Sequence, residues 1–385
     1  MTKHNSSKIL DLSPGLYSSS GGLLNMVPKF SKALDSSLVC FVNPKRFKQE
    51  NLAVEPKAVF TGLNLPLVRQ LCYAPPILYP NLDSLAQQAS LLSCHSFYRY
   101  QVLWAHRAFK KWGTPYWMVP HGVLDPWVLK KNRWVKQTFM RLGGLSCLRD
   151  AACFIFATEQ EKQKAQSVLG PLPSEVVPWP VESPDMAEQS NTRNLIRTKL
   201  RIEEDERVLL FFGRICGAKR PLETIETVAS IGSERLHLLM IGPCEEISKE
   251  DCLKKAQEVG FKNLHFLGPV YGKEKYDYMA ASDAYISLSH KESFNLAAAE
   301  CSAAGLPLIL SKGNNLGPVV EQAGAGWYLQ SDKRSSFVQS VDRFIQSSQK
   351  ELDSMGKKGV QLVRDKFAWD DFRSRIRLLS QKYSR

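Results

Sequence analysis

Short apolar stretches recur along this chain with amphipathic segments between them, and that alternation leaves few architectures open. A strand covered on both faces reads as an unbroken apolar run, and a parallel sheet needs a crossover helix between successive strands. "KILDLSP" reads as a strand, "SSSGG" as a loop, "LLNMVPKFSKAL" as an amphipathic helix interrupted by Pro28, and "SSLVCFV" as the next strand. The pattern continues through "AQQASLLSCHSF" (helix end and strand), "YRYQVLWAHRAFKKWG" (helix closed by Gly113), "PYWMVPHG" and "AACFIFAT" (strands), and "EQEKQKAQSVLG" (helix closed by Gly170).

Pro171, Pro173, Pro178, Pro180 and Pro184 then crowd one short stretch, a composition suited to a hinge between domains. Beyond it the same grammar starts again: "RVLLFFG", "LHLLMIG", "NLHFLG", "AYISLS", "LPLILS" and "AGWYLQ" are strands, each followed or preceded by a helical segment. Two such series predict an α/β protein of two Rossmann-like, doubly wound domains, residues 1–180 and 181–368, with their strand ends facing across a cleft. Residues 369–385 read as a last helix, with Trp369, Phe372, Ile376 and Leu379 along one side, packing back toward the N-terminal domain.

At 385 residues the chain can bury a core in each domain. Its longest apolar runs, "AACFIFA" and "VLLFF", fall short of the roughly 20 residues of a membrane-spanning helix. The N-terminus shows no apolar secretory core, so the chain is expected in the cytoplasm. Nine cysteines stand singly, without a C-x-x-C pair or a His cluster at metal spacing; they are expected reduced and mostly buried, with no structural zinc. A net charge of +13 and a pI near 9.2 predict attraction to an anion: nucleic acid, an acidic bilayer or a phosphorylated small molecule.

The stretch "SHKESFNLAAAECSAAGLPLILS" carries the strongest chemical signal. Ser293 is a good N-cap for a helix "FNLAAAECSAA" closed by Gly305 and Pro307, which puts Glu292 just outside the helix's positive end and Glu300 inside it. On helical rise the two carboxylates lie about 10 Å apart. Backbone N–H groups at that end can receive a diphosphate, and a carboxylate on each side can grip hydroxyls. The alternative is a surface helix with a capping carboxylate and an unrelated Glu. In "FFGRICGAKRPLETI", Arg214 and Lys219 follow a strand on a loop broken by Gly213 and Gly217, offering a planar fork and a point charge for a diphosphate, or else forming a solvated basic turn.

The order of a Gly-rich N-terminal loop, "PHG", "GR" plus Lys, and E-x7-E followed by "AAGLPLI" resembles the retaining glycosyltransferases of the two-Rossmann-domain GT-B group, often called family 4. The resemblance spans nearly the whole chain, and it implies an acceptor-binding N-terminal domain and a C-terminal domain for the nucleotide sugar. It implies that Arg214 and Lys219 hold the donor diphosphate, that backbone from Ser293 through Phe294 and Asn295 to Leu296 lies against phosphates and sugar, and that Glu300 takes the ribose hydroxyls. Glu292 would contact the transferred sugar, with His121 near the reacting centre, and Gly21 and Gly22 would let the first loop approach phosphate or acceptor. Asp125 reads as a turn former, and His95, ending another strand, as a residue lining the cleft. Two departures stand out: Arg220 follows Lys219 where the family commonly has Gly, and the first loop reads "SSSGGLLN".

The implied activity is metal-independent, retaining transfer of a hexose-like sugar from a nucleotide-diphosphate sugar to a glycan or lipid-linked acceptor, in cell-surface polysaccharide or lipopolysaccharide synthesis, with no cofactor. Trp127 to Leu145 carries Lys130, Lys131, Arg133, Lys136 and Arg141 with no acidic residue, interleaved with Trp127, Trp134, Phe139 and Leu142. That pattern suits a helix lying on an anionic inner face of the plasma membrane, or a solvated basic face over a buried stripe. Two other classes fit less well. A nucleic-acid-binding protein would lack the carboxylate pair at a phosphate seat, and a Rossmann dehydrogenase would carry G-x-G-x-x-G after a strand, which no strand here does. A non-catalytic sugar-nucleotide-binding relative stays open.

Overall fold

Both apolar series form all-parallel sheets. The computed structural model describes residues 8–66, 68–73, 80–130, 132–184 and 189–385. The chain divides into two units, Met1–Trp179 with Asp370–Arg385, and Pro180–Trp369.

The first unit holds β1 (Ile9–Pro14), β2 (Ser37–Val42), β3 (Ala58–Thr61), β4 (Leu91–His95), β5 (Tyr116–Val119), β6 (Cys153–Phe156) and β7 (Ser174–Val176), in the order β3-β2-β1-β4-β5-β6-β7. The second holds β8 (Arg207–Phe212), β9 (Leu236–Ile241), β10 (Leu264–Gly268), β11 (Ala284–Ser287), β12 (Leu308–Leu310) and β13 (Gly326–Tyr328), in the order β10-β9-β8-β11-β12-β13. In each sheet the chain winds outward from its first strand and then crosses to the other side. The reversal falls between β1 and β4 in one unit and between β8 and β11 in the other, and such sheets place ligands beyond the carboxyl ends of the strands at that point.

The central strands are apolar on both faces because helices cover both: Leu12, Val39, Phe41 and Leu92 are fully buried in the first sheet, and Leu209, Leu238, Ile286 and Ile309 in the second. Pro28 does not interrupt its helix, which runs unbroken over Gly22–Leu34. Losing one backbone donor there costs on the order of 3 kcal/mol. Burial of Met26, Val27, Phe30, Ala33 and Leu34 offsets it, since packing decides helix stability more than propensity does. The last helix, Trp369–Tyr383, buries Phe372 edge-on to Phe30 at 5.2 Å, and Arg377 Nε donates to the Ala33 carbonyl at 2.8 Å.

Eight of the nine cysteines are buried and Cys244 is exposed. No helix among the described residues is long and apolar enough to cross a membrane. The basic stretch is not one helix: Pro126–Lys130, Arg133–Phe139 and Leu145–Arg149 are separate short helices, joined in part by the turn Met140–Gly144 with Gly143 at φ 133°. Lys131 lies outside the described residues. Phe139 is buried against Phe97 and Tyr98, whereas Trp134 is 82% and Leu142 77% exposed. The interleaved apolar residues therefore divide between the core and the solvent face.

Candidate functional site

The loop after β8 carries Gly213, Arg214 and Lys219, and it abuts the loop after β9 so closely that a Cβ on Gly242 would lie 1.7 Å from the Gly213 carbonyl oxygen. Glycine is required there by the backbone contact itself. Arg214 Nη1 reaches Glu245 Oε2 at 2.7 Å, and Glu245 belongs to that neighbouring loop. Burial lowers the Arg214 pKa, but the hydrogen bond and charge of Glu245 outweigh it and raise the value above the ordinary one. Lys219 ends the short 3-10 turn Gly217–Lys219, and its ammonium contacts Glu292 Oε1 directly.

Arg220 supplies no charge to this loop's outer face. Its guanidinium is turned inward, donating to the Leu288 carbonyl at 3.1 Å and to Asp332 at 3.0 Å, with Nε 3.1 Å from His290 Nε2. It sits at φ 54°, ψ 52°, as N-cap of the helix Pro221–Ala229. A left-handed residue at that point explains why glycine suits it, and the buried hydrogen bonds offset the strain of an arginine.

The loop after β11 corrects the expected helix start. Asn295, in the left-handed region at φ 64°, is the N-cap, its side chain accepting from Ala298 N at 3.2 Å, and the helix spans Leu296–Ala303. Ser293 precedes the cap. Ser293, Phe294 and Asn295 thus form the approach to the helix, and Phe294 is buried edge-on to Phe367 at 5.1 Å. Glu292 lies in extended backbone bridged to Asn314, its N–H donating to the Gly313 carbonyl at 2.8 Å. Helical rise therefore does not set its distance from Glu300.

Beneath Glu292 lies a buried polar frame. Ser289 Oγ donates to Glu292 Oε1 at 2.7 Å, Asn295 Nδ2 to Asn314 Oδ1 at 2.7 Å, Asn314 Nδ2 to the Ser287 carbonyl at 2.9 Å, and Ser311 Oγ to the Ser289 carbonyl at 2.7 Å. Such a satisfied network fixes the loop in one arrangement. Glu300, one turn into the helix, pairs with Lys275 Nζ at 2.9 Å. Burial lowers the Lys275 pKa, and the charge and hydrogen bond of Glu300 outweigh it and raise the value above the ordinary one.

The second unit thus brings Lys219 onto Glu292 at the β8/β11 reversal, with Arg214 close enough to feel the Glu292 charge. An ammonium and a guanidinium each retain donors beyond those used here, so the pair can take an anion while keeping its carboxylate partners. Among the described residues no group of three or more His, Cys, Asp or Glu could hold a metal ion. Sequence reasoning missed Glu245, Lys275, Ser289 and Asn314. The acidic pair "EE" just past β9 was a readable signal for the first, while the other three have no local signature.

In the first unit His121 follows β5 in a turn at φ 52°. Its Nε2 is 3.0 Å from Nδ1 of His95, whose Nε2 is 3.0 Å from Asp11 Oδ1. His95 ends β4 as expected, but it is fully buried and lines no surface; its ring is taken up by Asp11 and His121 and its carbonyl by Gln101 Nε2. Asp125 is a turn former: Oδ1 accepts from Trp127 N at 2.8 Å. Gly21, at φ 57°, precedes the helix Gly22–Leu34, and a Cβ on Gly22 would meet nothing within 4 Å among the described residues, so none of them demands glycine at 22.

Residues 192–361 match the glycosyl transferases group 1 family model. The D-inositol 3-phosphate glycosyltransferase of Streptomyces griseus is 26% identical over 188 residues, 46% of this chain and 39% of that protein. The chain thus spans about two-fifths of the length of this relative. The protein of the same name from Gordonia bronchialis is 23% identical over 326 residues, covering 81% of this chain and 70% of its own. Anabaena Alr3699/HepE, solved in complex with UDP and glucose, superposes with a TM-score of 0.74 at 16% identity, covering 97% of this chain and 99% of that one. At that identity the shared property is the GT-B fold.

Proposed function

We propose that this chain, which carries a glycosyl transferases group 1 domain over residues 192–361, is a glycosyltransferase that moves a sugar from a nucleotide-diphosphate donor to a glycan or lipid-linked acceptor. The observation that carries the reading is the Lys219–Glu292 contact at the β8/β11 reversal, with Arg214 on the same loop as Lys219. Sharing a fold with a protein that binds UDP and glucose supports a nucleotide donor.

In this reading Arg214, Lys219 and the N–H groups heading Leu296–Ala303 stabilise the departing diphosphate, each charge-assisted hydrogen bond contributing roughly 1.5–3 kcal/mol. Glu292, held by Lys219 and Ser289, faces the positive charge that develops on the sugar, and Glu300 takes the ribose hydroxyls. The leaving phosphate takes the acceptor's proton on the face it departs from, so the sugar's configuration is retained and no separate nucleophile is needed. Two side-chain cations supply the neutralising charge that a divalent metal supplies elsewhere, which makes the reaction metal-independent.

A basic, apolar face supports an acceptor held at a membrane surface: Trp134, Val135, Leu142 and Leu145 are exposed beside Arg133 and Arg141. Flotation with anionic and with neutral vesicles tests it, and equal binding to both would remove the membrane from the proposal.

The central experiment is a panel of nucleotide sugars, read by thermal shift and by release of nucleoside diphosphate. Arg214→Ala and Lys219→Ala each lower turnover by about 100- to 1000-fold and abolish the shift. Parent-like responses from both variants sink the reading.

A further inference from the structure

Lys275 and Glu300 meet at the end of the second sheet where such sheets take ligands. Lys275 is the second residue of the helix Glu274–Ala281, which follows β10, and Glu300 is the fifth residue of Leu296–Ala303, which follows β11. Each helix starts beyond the carboxyl end of its strand, and helical side chains lean toward the helix start, so both tips are carried to that end. Both residues, and the strands that lead to them, belong to the second unit.

The helix that carries Lys275 gains nothing from it. A cation in the first turn opposes the helix dipole, and Glu274 and Asp277 already supply the negative charge that this turn favours. What accounts for the lysine lies across from it: Nζ stands 2.9 Å from Glu300 Oε1, with both side chains mostly buried. The ammonium is held from a second direction as well, 4.9 Å from the centre of the Tyr276 ring. Burial alone would lower the Lys275 pKa, yet the charge and hydrogen bond of Glu300 carry it above the ordinary value, so the ammonium keeps its proton.

A glutamate left to itself samples several rotamers, and a ligand that needs one of them must bear the ordering entropy. The clamp on Oε1 removes much of that cost. A carboxylate offers about four lone-pair positions on its two oxygens, and one ammonium N–H leaves enough of them for two neighbouring hydroxyls. We propose that Lys275 is a positioning residue that holds the Glu300 carboxylate ready for two adjacent hydroxyls of the donor's ribose, so that the site takes ribonucleoside diphosphates in preference to their 2′-deoxy forms. This rests on the reading of Glu300 as the residue that takes the ribose.

The test titrates the full-length protein calorimetrically with UDP, GDP, ADP and CDP, and with the 2′-deoxy form of each. The parent binds at least one ribo form about 10- to 100-fold more tightly than its deoxy counterpart, the range expected for a hydrogen bond to a charged group. Lys275→Met keeps the stem and removes the ammonium; the preference falls to near parity, through weaker binding of the ribo form, while the deoxy form binds as before. Lys275→Arg keeps the preference. An undiminished preference in Lys275→Met, or equal weakening of both forms, makes the pair a mere tie between two helices and overturns the proposal. A parent that binds both forms equally overturns it too, however the variants fold, and leaves the phosphate seat standing. A parent that binds none of these nucleotides removes the proposed function along with it.

Discussion

Each unit of the chain holds a carboxylate followed by two stacked imidazoles, at opposite ends of its sheet. Asp11, His95 and His121 are linked at 3.0 and 3.0 Å, with the rings 5.3 Å apart and 28° off parallel. Glu206, His237 and His265 are also linked at 3.0 and 3.0 Å, with rings 5.3 Å apart at 27°. The internal geometry is the same, and the placement is not. His95 closes β4 and His121 follows β5, at the carboxyl ends where such sheets take ligands. Glu206 precedes β8, while His237 and His265 are the second residues of β9 and β10, at the amino ends. The second chain ties three strand starts together. A constellation of titratable groups is therefore informative only once its end of the sheet is known.

The comparison breaks most visibly at the middle histidine. His95→Ala leaves the fully buried Asp11 without its imidazole and opens a ring-sized cavity, and the first unit loses about 3–5 kcal/mol. His237→Ala removes a hydrogen bond to Glu206, which keeps 17% side-chain exposure, so the second unit loses about 1–2 kcal/mol and turnover stays at the parent level. Hydrogen exchange of peptides covering β4 and β9 separates the two units. Equal losses in both would erase the distinction between a chain on a fully buried carboxylate and one on a partly solvated carboxylate.

Acid sharpens it next. Burial lowers the pKa of His237, more than Glu206 raises it, with Arg197 adding to the lowering; burial and then His237 lower that of His265. The unfolded chain then binds these protons first, so the second unit loses stability as pH falls below about 6.5. Asp11 also has a lowered pKa, but as a carboxylate its contribution is complete above about 3.9 and is lost only as pH falls from there through the folded value. Between pH 7 and 5, exchange protection drops in β9 and β10, and the pair contributes nothing to that drop in His237→Gln/His265→Gln. An unchanged slope in the double variant places the acid sensitivity elsewhere.

What the sequence displayed and what it hid divide along the same physical line. Strands covered on both faces were legible as apolar runs such as "VLLFF" and "LHLLMI", whereas the two edge strands of the first sheet, "SEV" of β7 and "AVFT" of β3, carry too little apolar length to stand out. Arg214, Lys219, Glu292 and His121 were legible because a loop at a strand end keeps its chemistry local. The N-cap was misplaced by two residues because Asn295 caps from a left-handed backbone, while Ser293 lies in the approach to it. Lys275 and Asn314 reach Glu300 and the Glu292 loop from elements distant in the chain, and no local pattern encodes that. Asp11 was readable in part: one carboxylate inside the run "ILDLS" marks a buried charge that needs partners, although the run does not say which.

The smallest effect is expected at the far end of the second chain. β10 is an edge strand, and His265 on it is half-buried, with Nε2 3.0 Å from His237 Nδ1. In His265→Gln the amide can take over that hydrogen bond while its other end meets water, so the net change is within about 0.5 kcal/mol. Donor turnover is unchanged. Urea unfolding of the second unit, followed by exchange in β10, measures it. A loss above about 2 kcal/mol would mean that the amino-end chain is fixed as tightly as the one on Asp11, and tightness of the chain would then no longer separate the two ends of these sheets.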